Sequence, residues 1–99
     1  MGDSLLWLIH QEDYLMADIK RLEDRLKDFR YDLFRAEEYP YNCDARDAEI
    51  DRCTKYVAET QKDLDEKRAE LSATRADLGR HIKELIEEAN ADIGNEQEV

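Results

Sequence analysis

The chain contains 99 residues, 41% of them charged, and its 26 acids against 15 bases give a formal net charge of −11. A chain of this length forms one small domain and has little room for an elaborate active site. The negative charge repels nucleic acids and anionic membranes at long range and favours a partner with a basic surface. Disordered chains and long charged helices share this composition, so the spacing of the apolar residues decides between them.

The first predicted helix covers residues 4–38 and follows a heptad pattern. Its seam positions alternate three and four residues apart, as in a coiled coil, and only Glu12 among them is charged. Asp3 or Ser4 can accept a hydrogen bond from a free backbone N–H at its start, and Pro40 stops it because proline has no N–H. The seam positions are Leu5, Leu8, Glu12, Leu15, Ile19, Leu22, Leu26, Phe29, Leu33 and Ala36.

The interior turn covers residues 39–44 and ends in Asn42 and Asp44, two residue types that favour helix N-termini. A second helix is predicted over residues 45–92, with one large apolar residue at every seventh position. These residues are Ile50, Val57, Leu64, Leu71, Leu78 and Leu85. The seam positions between them are weaker, so this helix depends on packing against the first one. The weaker candidates are Cys53, Thr54, Thr60, Gln61, Arg68, Thr74 and Arg75.

Together these elements predict an all-α fold, an antiparallel two-helix coiled-coil hairpin. It forms a single helical domain over residues 1–94, followed by a frayed acidic tail over 95–99. Across such a hairpin the numbers of facing residues have a constant sum. The two heptad patterns set this sum at 83, as for Leu26 with Val57.

This register makes a prediction for the end of the hairpin that lies far from the turn. Glu12 should lie near Arg68 and Arg75, either of which can form an ion pair with it. An alternative fold also begins in this region. The second helix can break near residues 72–74, and a short third helix can then fold back to cover Trp7.

The first helical turns and the end of the second helix carry apolar residues that two helices cannot bury. Exposed apolar surface is unfavourable in water, so we expect two hairpins to meet here and dimerise into a helical bundle. The predicted partner or oligomer interface comprises Leu5, Leu6, Trp7, Ile9, Tyr14, Ile82, Leu85 and Ile86. Further aromatic residues off the seam are candidate anchors for a partner, namely Tyr31, Phe34, Tyr39 and Tyr41.

Acidic residues recur at helical spacing along the second helix. A regular row of carboxylates can imitate the phosphates of a nucleic acid, whereas four-apart ion pairs make such a row an ordinary solvated face. The acidic face consists of Glu59, Asp63, Glu66, Glu70, Asp77, Glu84 and Glu88. The expected four-apart pairs are Asp51 with Lys55, Asp63 with Lys67, and Glu23 with Lys27.

Few residues suggest chemistry. His81 shares a helical face with Asp77 and Glu84, but ligands on one straight helix rarely converge on a metal. Cys43 and Cys53 are separated by roughly 12 Å or more if the second is helical, which is too far for a disulfide. We therefore expect free thiols, a reducing and cytoplasmic compartment, no membrane segment, and no catalytic, cofactor-binding or metal-binding residues.

The predicted function is that of a non-enzymatic acidic coiled-coil module, which binds and regulates a protein partner and forms a homodimer. The partner is expected to have a basic surface, without direct binding of nucleic acid or membrane. The alternative is a small acidic inhibitor or nucleic-acid mimic, of the kind that phages direct against host defence. Such a protein would block the basic groove of a nuclease or another nucleic-acid-binding protein.

Overall fold

The computed structural model describes the backbone of residues 2–98 and the side chains of residues 4–91. Over this part of the chain it contains two α-helices and no strand, which confirms the all-α class. Helix α1 spans Gly2–Glu38 and helix α2 spans Asp44–Glu98. The molecule measures 85 × 19 × 14 Å, and its long axis follows from the 55 residues of α2 at a rise of about 1.5 Å each.

Contacts between the two helices follow a regular order. Near the turn, the rings of Phe29 and Tyr56 stack with their centroids 5.1 Å apart. Farther from the turn, Lys67 Nζ lies 3.9 Å from Asp18 Oδ2. A helical hairpin fits these contacts.

The contacts bear only indirectly on the predicted register. The numbers of Phe29 and Tyr56 add up to 85, and those of Arg30 and Gln61, whose side chains are joined by a hydrogen bond of 3.2 Å, add up to 91. Both sums exceed 83. An arginine side chain reaches about one turn along a neighbouring helix, so the pairing of facing backbone positions at 83 stays a prediction.

The core lies along the predicted seam. Leu15 and Leu64 are its most enclosed large side chains. Every predicted seam position of α1 is buried or half-buried, including Glu12. The continuous apolar cluster contains Leu15, Ile19, Leu22, Leu26, Leu64 and Leu71, with Val57 packed against it. Burial of this apolar surface is what holds two charged helices together.

The structure decides which weak positions of α2 belong to the seam. Cys53, Thr60 and Thr74 are buried, because they continue the alternation of three and four residues between the large apolar positions. The other candidates Arg68 and Arg75 are exposed at the edge of the seam. Thr54 is also exposed. The seam of α2 is therefore part apolar and part threonine, whereas that of α1 is almost entirely apolar.

Cys43 begins α2. Its Sγ accepts a hydrogen bond of 3.4 Å from the backbone N–H of Arg46, and its carbonyl accepts one of 3.1 Å from Asp47. The prediction that Asn42 or Asp44 caps this helix is therefore wrong by one position. The Asn42 side chain instead accepts a hydrogen bond from Arg46 Nη1. The other guanidinium nitrogen of Arg46, Nη2, donates to the carbonyl of Glu37 at 2.9 Å. Arg46 thus satisfies a free carbonyl at the end of α1.

Helix α2 passes through residues 72–74 without a break, and no third helix forms within residues 2–98. The reason lies in the seam, since Leu71, Thr74 and Leu78 are all buried. A break here would expose them. The predicted helix limits at the chain ends were too short, because α1 already begins at Gly2 and α2 continues to Glu98.

Residues 92–98 belong to α2, but their side chains lie outside the described residues. The frayed acidic tail over 95–99 therefore stays a prediction. The Asp3 cap also falls on a side chain that is not described, and Ser4 lies inside α1 rather than at its cap position.

Candidate protein-interaction surface

Helix α2 extends past the start of α1. Leu78 and Leu85 occupy the same heptad position of α2, yet Leu78 is 9% exposed and Leu85 is 51% exposed. The difference arises because α1 lies against α2 at Leu78 but does not extend as far as Leu85. We call residues 82–98 the overhang; its described apolar side chains also include Ile82 and Ile86, both about half exposed.

The first turns of α1 carry a second apolar group. We call Leu6, Trp7 and Ile9 the collar; all three are exposed, Trp7 by 62%. Tyr14 lies seven residues after Trp7 and is exposed on the same side of α1. Leu5 differs from the other predicted interface residues, because it is half-buried and belongs partly to the seam.

An open cleft of about 580 Å³ lies between the collar and the beginning of the overhang. Trp7 and Glu84 both line it, so the structure brings the two predicted parts of the interface to one end of the molecule. The full lining consists of Ser4, Trp7, Leu8, Asp77, Arg80, His81 and Glu84. We call this end, with the collar and the overhang, the open end.

The titratable residues of the cleft do not form a metal site. Arg80 pairs with Asp77, the predicted companion of His81. Among the described residues, no group of three or more His, Cys, Asp or Glu side chains is arranged to hold a metal ion.

The predicted acidic face forms one stripe along α2. Its seven carboxylates follow intervals of three, four or seven residues, so they stay on one side of the helix over about 43 Å. All are exposed except Asp77, which is half-buried. Within the described side chains, four of the seven form no ion pair within 4.0 Å, namely Asp63, Glu66, Glu84 and Glu88.

The ion pairs of the structure differ from the predicted four-apart pairs. Three basic side chains of α2 reach across to carboxylates of α1 that flank the seam, in the pairs Lys67 with Asp18, Arg68 with Glu23, and Arg75 with Glu12. Along α2 itself, Lys67 also pairs with Glu70, and Lys55 pairs with Glu59. The predicted pairs Asp51 with Lys55, Asp63 with Lys67, and Glu23 with Lys27 are therefore wrong.

The aromatic residues predicted to lie off the seam are exposed, as expected. At the turn, Tyr39 and Tyr41 meet edge to face with centroids 5.5 Å apart. Tyr31 and Phe34 are exposed on the last turns of α1. These residues lie at the other end of the molecule from the collar, so the structure divides the aromatic candidates into two groups.

Sequence reasoning missed Tyr56, which stacks on the seam residue Phe29 while remaining partly exposed. It also missed Met16, an exposed residue whose Sδ accepts a hydrogen bond of 3.6 Å from Arg75 Nη2. Tyr56 precedes the seam position Val57 by one residue, and Met16 follows the seam position Leu15 by one residue. Neither position is apolar in the heptad pattern, so only the partner helix reveals their contacts.

The two cysteines are free and differ in environment. Cys43 is exposed, whereas Cys53 is buried in the seam. Burial raises the pKa of the Cys53 thiol above its ordinary value, and the hydrogen bond and negative charge of Glu49 add to the increase. The hydrogen bond from Arg52 lowers the pKa of Glu49, which keeps that carboxylate ionised beside the thiol.

Comparison with protein-family models, with curated proteins and with solved structures finds no significant match to this chain. Over the residues that the structure describes, neither helix contains an apolar stretch of the length that a bilayer requires.

Proposed function

We propose that this chain is a non-enzymatic, acidic coiled-coil module that binds and regulates a protein partner through its open end. The observation that carries the proposal is that Trp7 and Leu85 are both exposed at the end of the molecule where Leu8 and Leu78 still lie buried between the helices. Contiguous exposed apolar residues with a polar rim mark interaction sites, and tryptophan is a frequent anchor of interfaces.

The remainder of the fold suits this role. In this proposal the helices form an antiparallel coiled-coil hairpin, a rigid rod that presents the open end at a fixed distance from the turn. The rod is only 14 to 19 Å thick. Two helices of this thickness offer a binding surface but no deep pocket in which water could be excluded from a reaction.

The charge of the open end favours a basic partner over a second copy of the chain. Glu84, Glu87 and Glu88 lie beside the apolar residues of the overhang, and no basic residue follows Lys83 in the sequence. Two such ends would bring like charges together if they met in a homodimer. The homodimer remains a competing prediction, and light scattering at micromolar concentration tests it directly.

The proposal can be tested by capture of partners from the producing cell. We expect the wild-type chain to retain a specific protein, and the collar variant Leu6→Gln/Trp7→Gln to lose it. Tyr41→Gln, at the turn, is the matched control and should retain the same protein, because Tyr41 is equally exposed but lies at the far end. Equal capture by all three proteins would contradict a role for the open end.

A second candidate function is mimicry of a nucleic acid, and the acidic stripe of α2 favours it. A row of about 43 Å has the length of a short duplex, and four of its carboxylates have no ion-pair partner among the described side chains. A mimic would compete with DNA or RNA for the basic groove of its partner. Binding should then weaken steeply with salt and depend on Asp63 and Glu66.

The variant Asp63→Asn/Glu66→Gln separates the two candidates, because it changes the stripe without touching the open end. If the captured partner is lost from this variant and kept by the collar variant, mimicry replaces the interaction module. The cytoplasm is the proposed compartment in both cases, since reducing conditions keep Cys43 and Cys53 as free thiols.

A further inference from the structure

We infer that the overhang binds a basic amphipathic helix of the protein partner, which takes the place beside α2 that α1 does not fill. This inference rests on the proposed function and specifies the occupant of one part of the open end. It depends on two independent features of the overhang, its apolar stripe and its charge.

The apolar stripe of the overhang continues an interface that already exists. Between the helices, Leu71 and Leu78 pack against α1 and are buried. Leu85 follows at the next heptad position, and Ile82 and Ile86 lie on either side of it along the helix. A helix is the shape that complements Leu85, because Leu71 and Leu78, at the same heptad position, already pack against a helix over the preceding turns. Ile82 and Ile86 widen the apolar surface around Leu85.

The charge of the overhang identifies the chemistry of the occupant. From Glu84 onward the sequence contains six acids and no base, and α2 has no basic residue in its last turn. A partner with Lys or Arg beside its apolar residues would neutralise these carboxylates.

The carboxylates of the overhang are available for such a partner. Glu84, Glu87 and Glu88 form no ion pair within 4.0 Å among the described side chains, whereas Asp77, just before the overhang, is paired with Arg80. A second copy of this chain would supply more carboxylates at the same place. A basic helix with apolar anchors three and four residues apart fits the apolar side chains and the charge together.

The test uses the full chain and a synthetic helical peptide of about 18 residues, built of Leu and Lys in an amphipathic order. A peptide of the same composition in scrambled order is its control. We expect one amphipathic peptide to bind per chain, and the scrambled peptide to bind about tenfold more weakly or worse, because it lacks an apolar face. Titration by fluorescence anisotropy measures both.

Variants locate the binding. Ile82→Gln/Leu85→Gln should weaken binding of the amphipathic peptide about tenfold or more, because two apolar anchors are lost. Tyr31→Gln/Phe34→Gln, an equally exposed pair near the turn, should leave it within about twofold. Glu87→Gln/Glu88→Gln should weaken binding and flatten its salt dependence. Circular dichroism confirms that each variant keeps its helix content, since none of these side chains is buried.

Four results would overturn the inference. The first is equal binding of the scrambled peptide, and the second is binding unaffected by the overhang variant. The third is a wild-type dimer that this variant dissociates, which would make a second copy the occupant. Capture of a cellular partner that survives the overhang variant and is lost from the collar variant would also overturn it, while leaving the proposed function intact.

Discussion

Arg75 Nε lies 3.4 Å from Oε2 of Glu12, the only charged residue in the apolar seam of α1. The two residues are 63 positions apart in the chain, so their contact depends on the way the helices pack. Half-buried Glu12 reaches the edge of the seam and meets the exposed guanidinium there. The sequence predicted a pairing of Glu12 with Arg68 or Arg75; the contact with Arg75 is confirmed, and Arg68 pairs with Glu23 instead.

Replacement of Glu12 by leucine should stabilise the hairpin. An ion pair with solvent access contributes at most about 1 kcal/mol, whereas burying most of a leucine side chain contributes about 1.5 kcal/mol or more. We expect a net gain of about 0.5 to 1 kcal/mol in the free energy of unfolding for Glu12→Leu, and a rise in Tm of a few degrees. Thermal unfolding followed by circular dichroism measures it.

Arg75→Gln serves as the control for this change, because it removes the ion pair without adding apolar surface. It should cost less than about 1 kcal/mol. A lower Tm for Glu12→Leu than for the wild-type chain would mean that position 12 does not face α2.

Two leucines of α2 should respond very differently to the same substitution. Leu64 is 1% exposed in the middle of the core, so Leu64→Ala should lower the free energy of unfolding by about 2 to 5 kcal/mol. Leu85→Ala should change it by less than about 0.5 kcal/mol, because Leu85 lies on the overhang without a covering helix. Urea unfolding compares the two variants, and a similar loss for both would show that the overhang is covered within the chain.

Gly79 offers a test of the continuity of α2. It lies inside the helix, and an added Cβ would meet no atom within 4 Å. Gly79→Ala should therefore raise the free energy of unfolding by about 0.5 to 1 kcal/mol, since alanine loses less backbone entropy in a helix. If α2 instead turned back near this residue, alanine would destabilise the chain; thermal unfolding distinguishes the two results.

The two thiols should react at different rates with a reagent such as iodoacetamide. Thiolate is the reactive form, and the raised pKa of Cys53 leaves less thiolate at pH 8 than an ordinary cysteine has. Burial also blocks access to Cys53, so the exposed Cys43 should react first. Mass spectrometry of Cys43→Ser and Cys53→Ser variants follows each site separately.

Denaturant supplies the control for this experiment. In urea the burial of Cys53 disappears, so the two cysteines should then be labelled at similar rates. Faster labelling of Cys53 than of Cys43 in the native chain would contradict its position in the seam.

Much of the fold was predictable because a heptad pattern depends only on the spacing of residues along one helix. The seam of α1 was assigned in full, from Leu5 to Ala36, and each position is buried or half-buried. The exposed aromatic residues could be assigned for the same reason, since a residue outside the seam faces away from the partner helix. Both helices, and the turn between them that contains Pro40, were also expected.

The tertiary structure decided what depends on two helices at once. In α2 the neighbours Cys53 and Thr54, or Thr74 and Arg75, compete for one seam position, and only the packing of α1 selects Cys53 and Thr74. The cap at Cys43 was missed because sulfur is a weak acceptor and not a usual capping group. Ion pairs were misassigned because flexible side chains such as Lys67 respond to charges across the interface.

At the open end, too, some features could be predicted from the sequence and others depend on how the helices pack. The apolar character of Trp7 and Leu85, and the excess of acids after Lys83, can be read from the chain alone, since these are properties of the side chains. That Leu78 is covered and Leu85 is not follows from the packing, because it depends on where α1 starts along α2. Burial is a property of the pair of helices, and neither helix specifies it alone.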